Sequence, residues 1–302
     1  MSELVIGSRG SKLALWQANH VAALLAANGH STRIEIIQTT GDKITDVALS
    51  KVGTKGLFTK EIEEALLAGT IDLAVHSAKD MPTELPERLV LSAFPEREDA
   101  RDALIGAALA DLPLRAVVGT SSLRRAAQIR ALRPDLGVAD LRGNVDTRLR
   151  KQAEGQYAAI LLAAAGLTRL GWQDRISEYL DPAVFVPAVG QGALAIETRA
   201  DAGAGHTAVT ALDNAAVRAR LTAERAALHA IGGGCQVPLG AHAVLTPEGM
   251  LRMHGVVVSH DGKSVFRAEV NGPAAEAEAL GARLGRDLLD AGAHSVLVQA
   301  GM

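Results

Sequence analysis

The stretch Leu4-Val5-Ile6-Gly7-Ser8-Arg9-Gly10-Ser11 joins an apolar strand to the start of a helix, and this unit recurs along the chain. Ser11 can cap a helix that runs to Asn28, with apolar residues at helical spacing and Gly29 behind it. Strands that alternate with helices form a mainly parallel sheet covered on both faces. The next predicted elements are strands at 33–38 and 71–75 and a helix at 59–68.

The same alternation restarts after a segment rich in charges, Pro95-Glu96-Arg97-Glu98-Asp99. A second segment, 186–192, is a plausible return to the first unit. Two such crossings predict two α/β lobes around a cleft, with ligands beyond the carboxyl ends of the strands. The predicted elements of the second lobe are strands at 116–119, 137–141 and 158–162 and helices at 122–132 and 145–154.

The C-terminal third has a different pattern. After a helix at 214–230, alternating apolar residues and turns predict an antiparallel meander over 237–270, and Pro273 then starts a helix that reaches about Ala291. The fold class is therefore α/β, with two lobes and a smaller α+β C-terminal domain. The predicted domains are 1–96 with 191–213, then 97–190, and last 214–302.

Composition excludes several classes of function. The 302 residues are 48% hydrophobic and 3% aromatic, and the formal net charge is −3, so no overall basic field or stack of aromatics indicates nucleic-acid binding. The longest apolar run, Tyr157 to Leu167, is too short to span a membrane. The N-terminal residues lack the pattern of an export signal, so we expect a cytoplasmic protein.

Cys235 is the only cysteine, and it follows three glycines in Gly232-Gly233-Gly234-Cys235-Gln236-Val237-Pro238. A lone cysteine forms no internal disulfide and no multi-cysteine zinc site, and no metal is expected. The glycines would let a large substituent approach, which suggests a thiol used for covalent chemistry. A buried cysteine acting as a small apolar side chain is the open alternative.

Arginines follow two strands of the second lobe, in 119–125 and 141–148. Hydroxyls, backbone amides and arginine side chains at the start of a helix bind anions, so we expect a ligand with several negative groups. A solvated basic helix face is the alternative reading, and it applies best to Arg130, Arg133 and Arg150.

Asp80 follows Lys79 at the end of an apolar strand, where a carboxylate can stabilise a cation or move a proton. It could instead cap the turn before Met81 and Pro82. The segment 51–58, with Lys51, Lys55 and Phe58, has the glycines and charges of a mobile lid over an anion, or is an idle surface loop.

Taken together, these motifs closely resemble the porphobilinogen deaminase (hydroxymethylbilane synthase) family. Any one string could occur by chance, but they stand in order along nearly the whole chain. The matching strings are Ser8-Arg9-Gly10-Ser11, Lys51-Val52-Gly53 with Lys55-Gly56-Leu57-Phe58, Val75-His76-Ser77-Ala78-Lys79-Asp80-Met81-Pro82, Gly119-Thr120-Ser121-Ser122-Leu123-Arg124-Arg125, Leu141-Arg142-Gly143-Asn144, Ala188-Val189-Gly190-Gln191-Gly192 and Gly233-Gly234-Cys235-Gln236-Val237-Pro238.

The resemblance implies two lobes like those of periplasmic binding proteins, and a dipyrromethane cofactor joined to Cys235 by a thioether. It implies a monomeric enzyme that condenses four porphobilinogen molecules, with loss of ammonia, and releases hydroxymethylbilane by hydrolysis. The positive charge that builds on pyrrole nitrogens in this chemistry implies a buried carboxylate, and Asp80 matches the catalytic one. The implied cofactor-binding residues are Ser11, Lys79, Asp80, Thr120, Ser122, Arg124, Arg125, Arg142 and Arg148, and the implied substrate-binding residues are Arg9, Arg142, Arg148, Arg169 and Gln191.

Two positions depart from the family pattern: Gly232 stands where many members have Glu, and Ala100 replaces a common proline. Neither removes a residue on which the mechanism depends. Two other classes stay open on the residues alone. One is a small-anion binding module of the same two-lobed fold. The other is a cysteine hydrolase that pairs Cys235 with His229 or His242, although no nucleophile motif supports it.

Overall fold

The computed structural model describes residues 3–43, 57–232 and 237–299, whose strands form three separate sheets. The strands are β1 (Leu4–Ser8), β2 (Thr32–Ile36), β3 (Leu73–Ser77), β4 (Leu89–Ala93), β5 (Asp102–Ile105), β6 (Val117–Gly119), β7 (Gly137–Ala139), β8 (Ala159–Ala163), β9 (Glu178–Tyr179), β10 (Leu194–Arg199), β11 (Leu239–Leu245), β12 (Met250–Val258) and β13 (Val265–Pro273). The α-helices are α1 (Lys12–Ala27), α2 (Thr40–Lys43), α3 (Lys60–Leu67), α4 (Leu123–Leu132), α5 (Val145–Ala153), α6 (Ala164–Arg169), α7 (Ala204–Thr210), α8 (Ala215–Ala230), α9 (Ala277–Leu288) and α10 (His294–Gln299).

The first two sheets repeat one topology. Their strand orders are β2-β1-β3-β10-β4 and β7-β6-β8-β5-β9, and β1 and β6 pair in parallel with both of their neighbours. Strands β10 and β5 instead run antiparallel to the strands on either side of them. Each reversed strand is the first that the chain forms after it crosses between the sheets. We refer to the two units as lobe 1, which contains β1, and lobe 2, which contains β6.

The predicted architecture of two α/β lobes and a smaller α+β C-terminal unit is confirmed. The two crossings also occur where expected, between β4 and β5 and between β9 and β10. The expectation of mainly parallel sheets is incomplete, because it omitted the two reversed strands. Both are short and nearly fully buried, so neither shows the alternating pattern of a half-exposed strand.

Helix α1 forms where predicted and covers the first sheet. The Ser11 Oγ caps it by accepting a hydrogen bond from the Ala14 amide at 3.3 Å. The buried side chains of Ala18, Val21 and Leu25 pack in one apolar cluster with residues of β1 and β3. Burial of one large aliphatic side chain contributes about 2 kcal/mol, so this stripe fixes the helix on the sheet. Its N-terminus, with Ser11, is thereby placed at the edge where β1 ends.

The C-terminal unit is an antiparallel sheet, β11-β12-β13, covered by α8 and α9. The two helices approach closely at Gly281, where an added Cβ would lie 2.0 Å from the Ala223 carbonyl oxygen. The predicted helix from Pro273 to Ala291 is wrong at its start. Pro273 is the last residue of β13, opposite Met250, and α9 begins only at Ala277 after a 3₁₀ turn.

Within residues 3–43, 57–232 and 237–299, no helix is both long enough and apolar enough to cross a membrane.

Candidate functional site

A cavity of about 1060 Å³ lies between the two lobes and also touches the C-terminal unit. Most of the residues predicted for the site line it. Most of them come from the ends of β1, β3 and β6 and the starts of α1, α4 and α5, the edge at which ligands of such sheets bind. The predicted residues among its lining are Arg9, Ser11, Phe58, Lys79, Asp80, Ser122, Arg124, Arg125, Arg142, Arg148, Arg169 and Gln191.

Four predicted residues are not among that lining. Thr120 is buried, and its hydroxyl accepts a hydrogen bond from the Ser122 amide at 3.2 Å. Cys235, Lys51 and Lys55 lie outside the described residues. Their predicted roles therefore stay predictions.

Asp80 projects from a 3₁₀ turn, Ala78–Asp80, that directly follows β3. The Ala78 amide donates to the Ala193 carbonyl at 3.0 Å, which ties the turn to the return crossing. Gly190 packs under it with a φ of +73°, and an added Cβ there would come within 3.0 Å of Ala78 C and Lys79 N. The chemistry of the family suggested a buried carboxylate, but Asp80 is exposed to the cavity, where a ligand can reach it.

The carboxylates that line the cavity differ in whether they form an ion pair. Within the described residues three line it: Asp42, Asp80 and Asp146. Asp42 pairs with Arg9, and Asp146 lies 4.0 Å from the Nζ of Lys12. Asp80 forms no ion pair with any described residue, so it is the carboxylate available to act on a ligand.

Three described cations of the cavity have depressed pKa values. Burial lowers the pKa of Lys79 to about 8, although the charge of Asp80 acts to raise it. Burial also lowers the pKa of Arg148 to about 10, and the charges of Arg125 and Arg142 lower it further. Arg169 has its pKa lowered to about 10, again by burial. Such depressed values indicate a site that would gain from a negatively charged ligand.

Asp102 on β5 pairs with both Arg124 and Arg125. The sequence analysis did not predict this residue. Its carboxylate is fully buried and lies 2.8 Å from Nη1 of Arg124 and 2.7 Å from Nε of Arg125. Burial would raise the pKa of Asp102, but the two guanidinium groups outweigh it and lower the value to about 2. One carboxylate balances two arginines, so positive charge remains at the cavity wall.

The other predicted residues are also held in place. Arg169 donates to the Gly192 carbonyl at 2.7 Å, and Arg148 donates to the Gly143 carbonyl at 2.7 Å. Gln191 is buried and donates to the Ala100 carbonyl at 2.7 Å. These contacts set the guanidinium and amide groups in fixed places before a ligand binds.

The start of α4 presents a second capped helix end to the cavity. Ser122 Oγ accepts from the Arg125 amide at 3.4 Å, as Ser11 does for α1. The positive ends of both helices therefore add to the charge of the arginines. Both motifs were predicted to be turns from a strand into a helix, and both are.

Glu224 is a second buried acid that sequence reasoning missed. It is fully buried on α8 and bound by both terminal nitrogens of Arg97, at 2.7 and 3.1 Å. It also accepts the amides of Gly190 at 2.8 Å and Ala243 at 2.9 Å. Burial would raise the pKa of Glu224, but Arg97 and His242 lower it to about 2. The carboxylate thus links three parts of the molecule: the first crossing through Arg97, the loop under Asp80 through Gly190, and the C-terminal sheet through Ala243.

Comparison with known proteins identifies the family. Residues 4–206 match the model described as porphobilinogen deaminase, dipyromethane cofactor binding domain, and residues 219–290 match that of the porphobilinogen deaminase C-terminal domain. The porphobilinogen deaminase of Syntrophobacter fumaroxidans is 53% identical, with 97% of this chain and 96% of that protein covered. That of Roseiflexus sp. strain RS-1 is 54% identical, with 97% and 98% covered.

Solved structures with a similar course of chain include a Bordetella pertussis extracytoplasmic solute receptor binding pyroglutamic acid. It is 14% identical with a TM-score of 0.41, and the match covers 96% of this chain and 99% of that one. The anion-binding module is not better supported than the enzyme. The two family models and the full-length relatives together show that the chain belongs to the porphobilinogen deaminase family of transferases.

Proposed function

We propose that this chain condenses four porphobilinogen molecules head to tail, releasing ammonia each time, on a dipyrromethane held by Cys235, and then frees hydroxymethylbilane by hydrolysis. The observation that carries the assignment of the site is Asp80, the one carboxylate without an ion pair among the described residues of a cavity whose described lining has more cations than carboxylates. The test is incubation of the purified protein with porphobilinogen. Release of ammonia with formation of a linear tetrapyrrole is expected, and no consumption of porphobilinogen would overturn the proposal.

The residues present fit the cofactor of the family. Each ring of a dipyrromethane carries an acetate and a propionate, and the cavity offers arginine forks and two helix N-termini for such groups. When bound, the group supplies the nucleophilic pyrrole carbon that primes the chain. We propose that it is held by Cys235, Ser11, Lys79, Asp80, Thr120, Ser122, Arg124, Arg125, Arg142 and Arg148.

Asp80 is proposed as the catalytic residue. Loss of ammonia and attack by a pyrrole both place positive charge on pyrrole nitrogens, and a fixed carboxylate stabilises that charge. The 3₁₀ turn that carries Asp80 is held at Ala78 by the Ala193 carbonyl and packs on Gly190, so the carboxylate needs little reorganisation when the charge develops. We propose that incoming porphobilinogen is oriented by Arg9, Arg142, Arg148, Arg169 and Gln191.

Arg148→Ala is expected to raise KM for porphobilinogen by about 10-fold, the cost of losing one charged hydrogen-bonding partner of a carboxylate. The matched control is Arg150→Ala. Arg150 lies on the same helix but is exposed and pairs with Glu154 at 2.9 Å, so its loss should leave KM unchanged. Steady-state kinetics of both variants make the comparison. Equal effects would show that the loss of general positive charge, not a binding site, explains the result.

In protein without the cofactor, porphobilinogen can occupy the ring positions that Lys79 serves, and its binding there is expected to weaken as pH rises through about 8. Below this pH Lys79 is protonated and attracts carboxylates, and above it the side chain becomes neutral, because its pKa is lowered to about 8. Calorimetry on Cys235→Ala protein, which cannot attach the cofactor, measures this from about pH 7 to about 9.5. Lys79→Met should flatten the profile, and Lys60→Met, at an exposed lysine, should not. An unchanged profile in Lys79→Met contradicts the assignment.

We propose three domains with the boundaries 1–96 with 191–213, 97–190 and 214–302. Support comes from the three sheets, whose strands fall within these ranges. We further propose a cytoplasmic monomer that binds neither nucleic acid nor membranes. The formal net charge of −3 supports the first of these absences. Light scattering on the purified protein tests the monomer, for which the mass should be 31.4 kDa.

A further inference from the structure

The guanidinium group of Arg9 is held on two sides at the wall of the cavity. Its Nε lies 3.1 Å from Oδ1 of Asp42, and its Nη2 lies 2.5 Å from the same oxygen. Its Cζ lies 4.2 Å from the ring centroid of Phe58, within the range of a cation–π contact. All three residues line the cavity, and the Arg9 and Asp42 side chains are only about one-quarter exposed, at 23% and 25%.

Asp42 is itself fixed by its neighbours. The hydroxyl of Thr39 donates to Oδ2 at 2.8 Å, and the amide of Thr39 donates to the same oxygen at 3.2 Å. Burial acts to raise the pKa of Asp42, but the hydrogen bonds from Arg9 and Thr39 outweigh it and hold the pKa below its usual range. Asp42 is therefore a charged and immobile acceptor at neutral pH.

The backbone also brings Asp42 and Phe58 together, although they are 16 positions apart in the sequence. The Gly41 amide donates to the Leu57 carbonyl at 2.8 Å, and the Thr40 amide donates to Oε1 of Glu61 at 2.9 Å. The short helix α2 is thus joined to the start of α3. These contacts make the two partners of Arg9 one structural unit.

The contacts with Asp42 use Nε and Nη2 of Arg9. Within the described residues its Nη1 forms no hydrogen bond, so this edge of the fork is the one left for a ligand. A free arginine side chain loses rotamer entropy when it binds a ligand, and a guanidinium group that is already oriented loses less of it. Orientation of Arg9 is therefore a means of strengthening the binding of a carboxylate.

We infer that Asp42 and Phe58 are positioning residues that orient Arg9 so that its Nη1 edge receives a carboxylate of porphobilinogen. This inference rests on the proposed function, in which Arg9 binds substrate. The opposite role for Asp42 would be competition with substrate for Arg9. Competition predicts that removing the charge of Asp42 lowers KM, whereas positioning predicts that it raises KM.

The test compares Asp42→Asn with wild type in steady-state kinetics with porphobilinogen. We expect KM to rise about 10-fold and kcat to stay within about twofold, because the loss affects binding and not the reacting atoms. Phe58→Leu should likewise raise KM, and Phe58→Tyr, which keeps an aromatic face, should restore it. The matched control is Asp135→Asn. Asp135 pairs with Arg133 through both oxygens, at 2.8 Å each, but lies away from the cavity, so KM should not change.

Arg9→Ala distinguishes a failure of the positioning role of Asp42 from a failure of the substrate role of Arg9. If it raises KM and Asp42→Asn does not, the positioning role is overturned and the proposed substrate site stands. If Arg9→Ala leaves KM unchanged, the substrate role of Arg9 fails, and the positioning role fails with it. In the variant that combines Arg9→Ala with Asp42→Asn, the increases in KM from the two substitutions should not add, because Asp42 acts only through Arg9. Melting curves of each variant identify any change in KM that comes from loss of folded protein.

Discussion

Asp80→Asn is expected to lower kcat by about 10³-fold, with little change in the melting temperature. Asparagine keeps the size of the side chain but removes the negative charge that opposes the positive charge on pyrrole nitrogens. Folding should be spared, because Asp80 is exposed to the cavity and forms no ion pair with a described residue. Single-turnover kinetics with porphobilinogen, followed by intact-protein mass, would show the lost step directly.

A second substitution at the same position distinguishes charge from placement. Asp80→Glu retains the carboxylate but displaces it by one methylene, so slow turnover with enzyme-bound intermediates is expected. Full activity of the glutamate variant would argue against a tight geometric requirement. Retention of more than about one-tenth of the wild-type kcat by Asp80→Asn would remove Asp80 from the chemistry altogether.

Cys235→Ala is expected to abolish the covalent attachment of dipyrromethane and, with it, turnover. The wild-type protein should exceed the mass of its 31.4 kDa polypeptide by two pyrrole units, even after denaturation. Since Cys235 is the only cysteine, the alanine variant leaves no other thiol to carry them. A reagent that colours pyrroles should stain the wild type and leave the variant unstained.

The Cys235 experiment tests the covalent attachment by mass alone. An additional mass that persists in Cys235→Ala would place the attachment elsewhere. A wild-type protein with the bare polypeptide mass, before and after incubation with porphobilinogen, would contradict the thioether altogether. Asp80→Asn provides the control, since it should retain the added mass while losing turnover.

Local signals account for much of what could be predicted. The caps at Ser11 and Ser122 depend on neighbouring amides, and they place the starts of α1 and α4 correctly. The arginines and Lys79-Asp80 stand directly after strands, so their meeting at one edge follows from the direction of those strands. Even the departure at Gly232 has a local reason: its φ of +74° favours glycine after α8.

Long-range contacts explain what could not be predicted. Arg97 and Glu224 are 127 positions apart and meet only because a crossing segment passes α8. Asp102 appears as one acid among many in a charged segment, and its link to Arg124 depends on the reversed strand β5. Asp42 has no motif of its own, since its partner Arg9 is 33 positions away. Such pairs are visible only once the sheets are assembled.

The two crossings have a mechanical consequence. They bond to each other, since the Glu98 amide donates to the Gly192 carbonyl at 3.1 Å, and the return crossing also accepts the Ala78 amide at the Ala193 carbonyl. Any rotation of one lobe against the other must pivot about these two crossing segments, which lie at the base of the Asp80 turn. Widening the cleft therefore moves the far rim by large steps and the carboxylate by small ones. We expect the lengthening oligomer to find new space at that rim while its reacting end stays at an almost stationary acid.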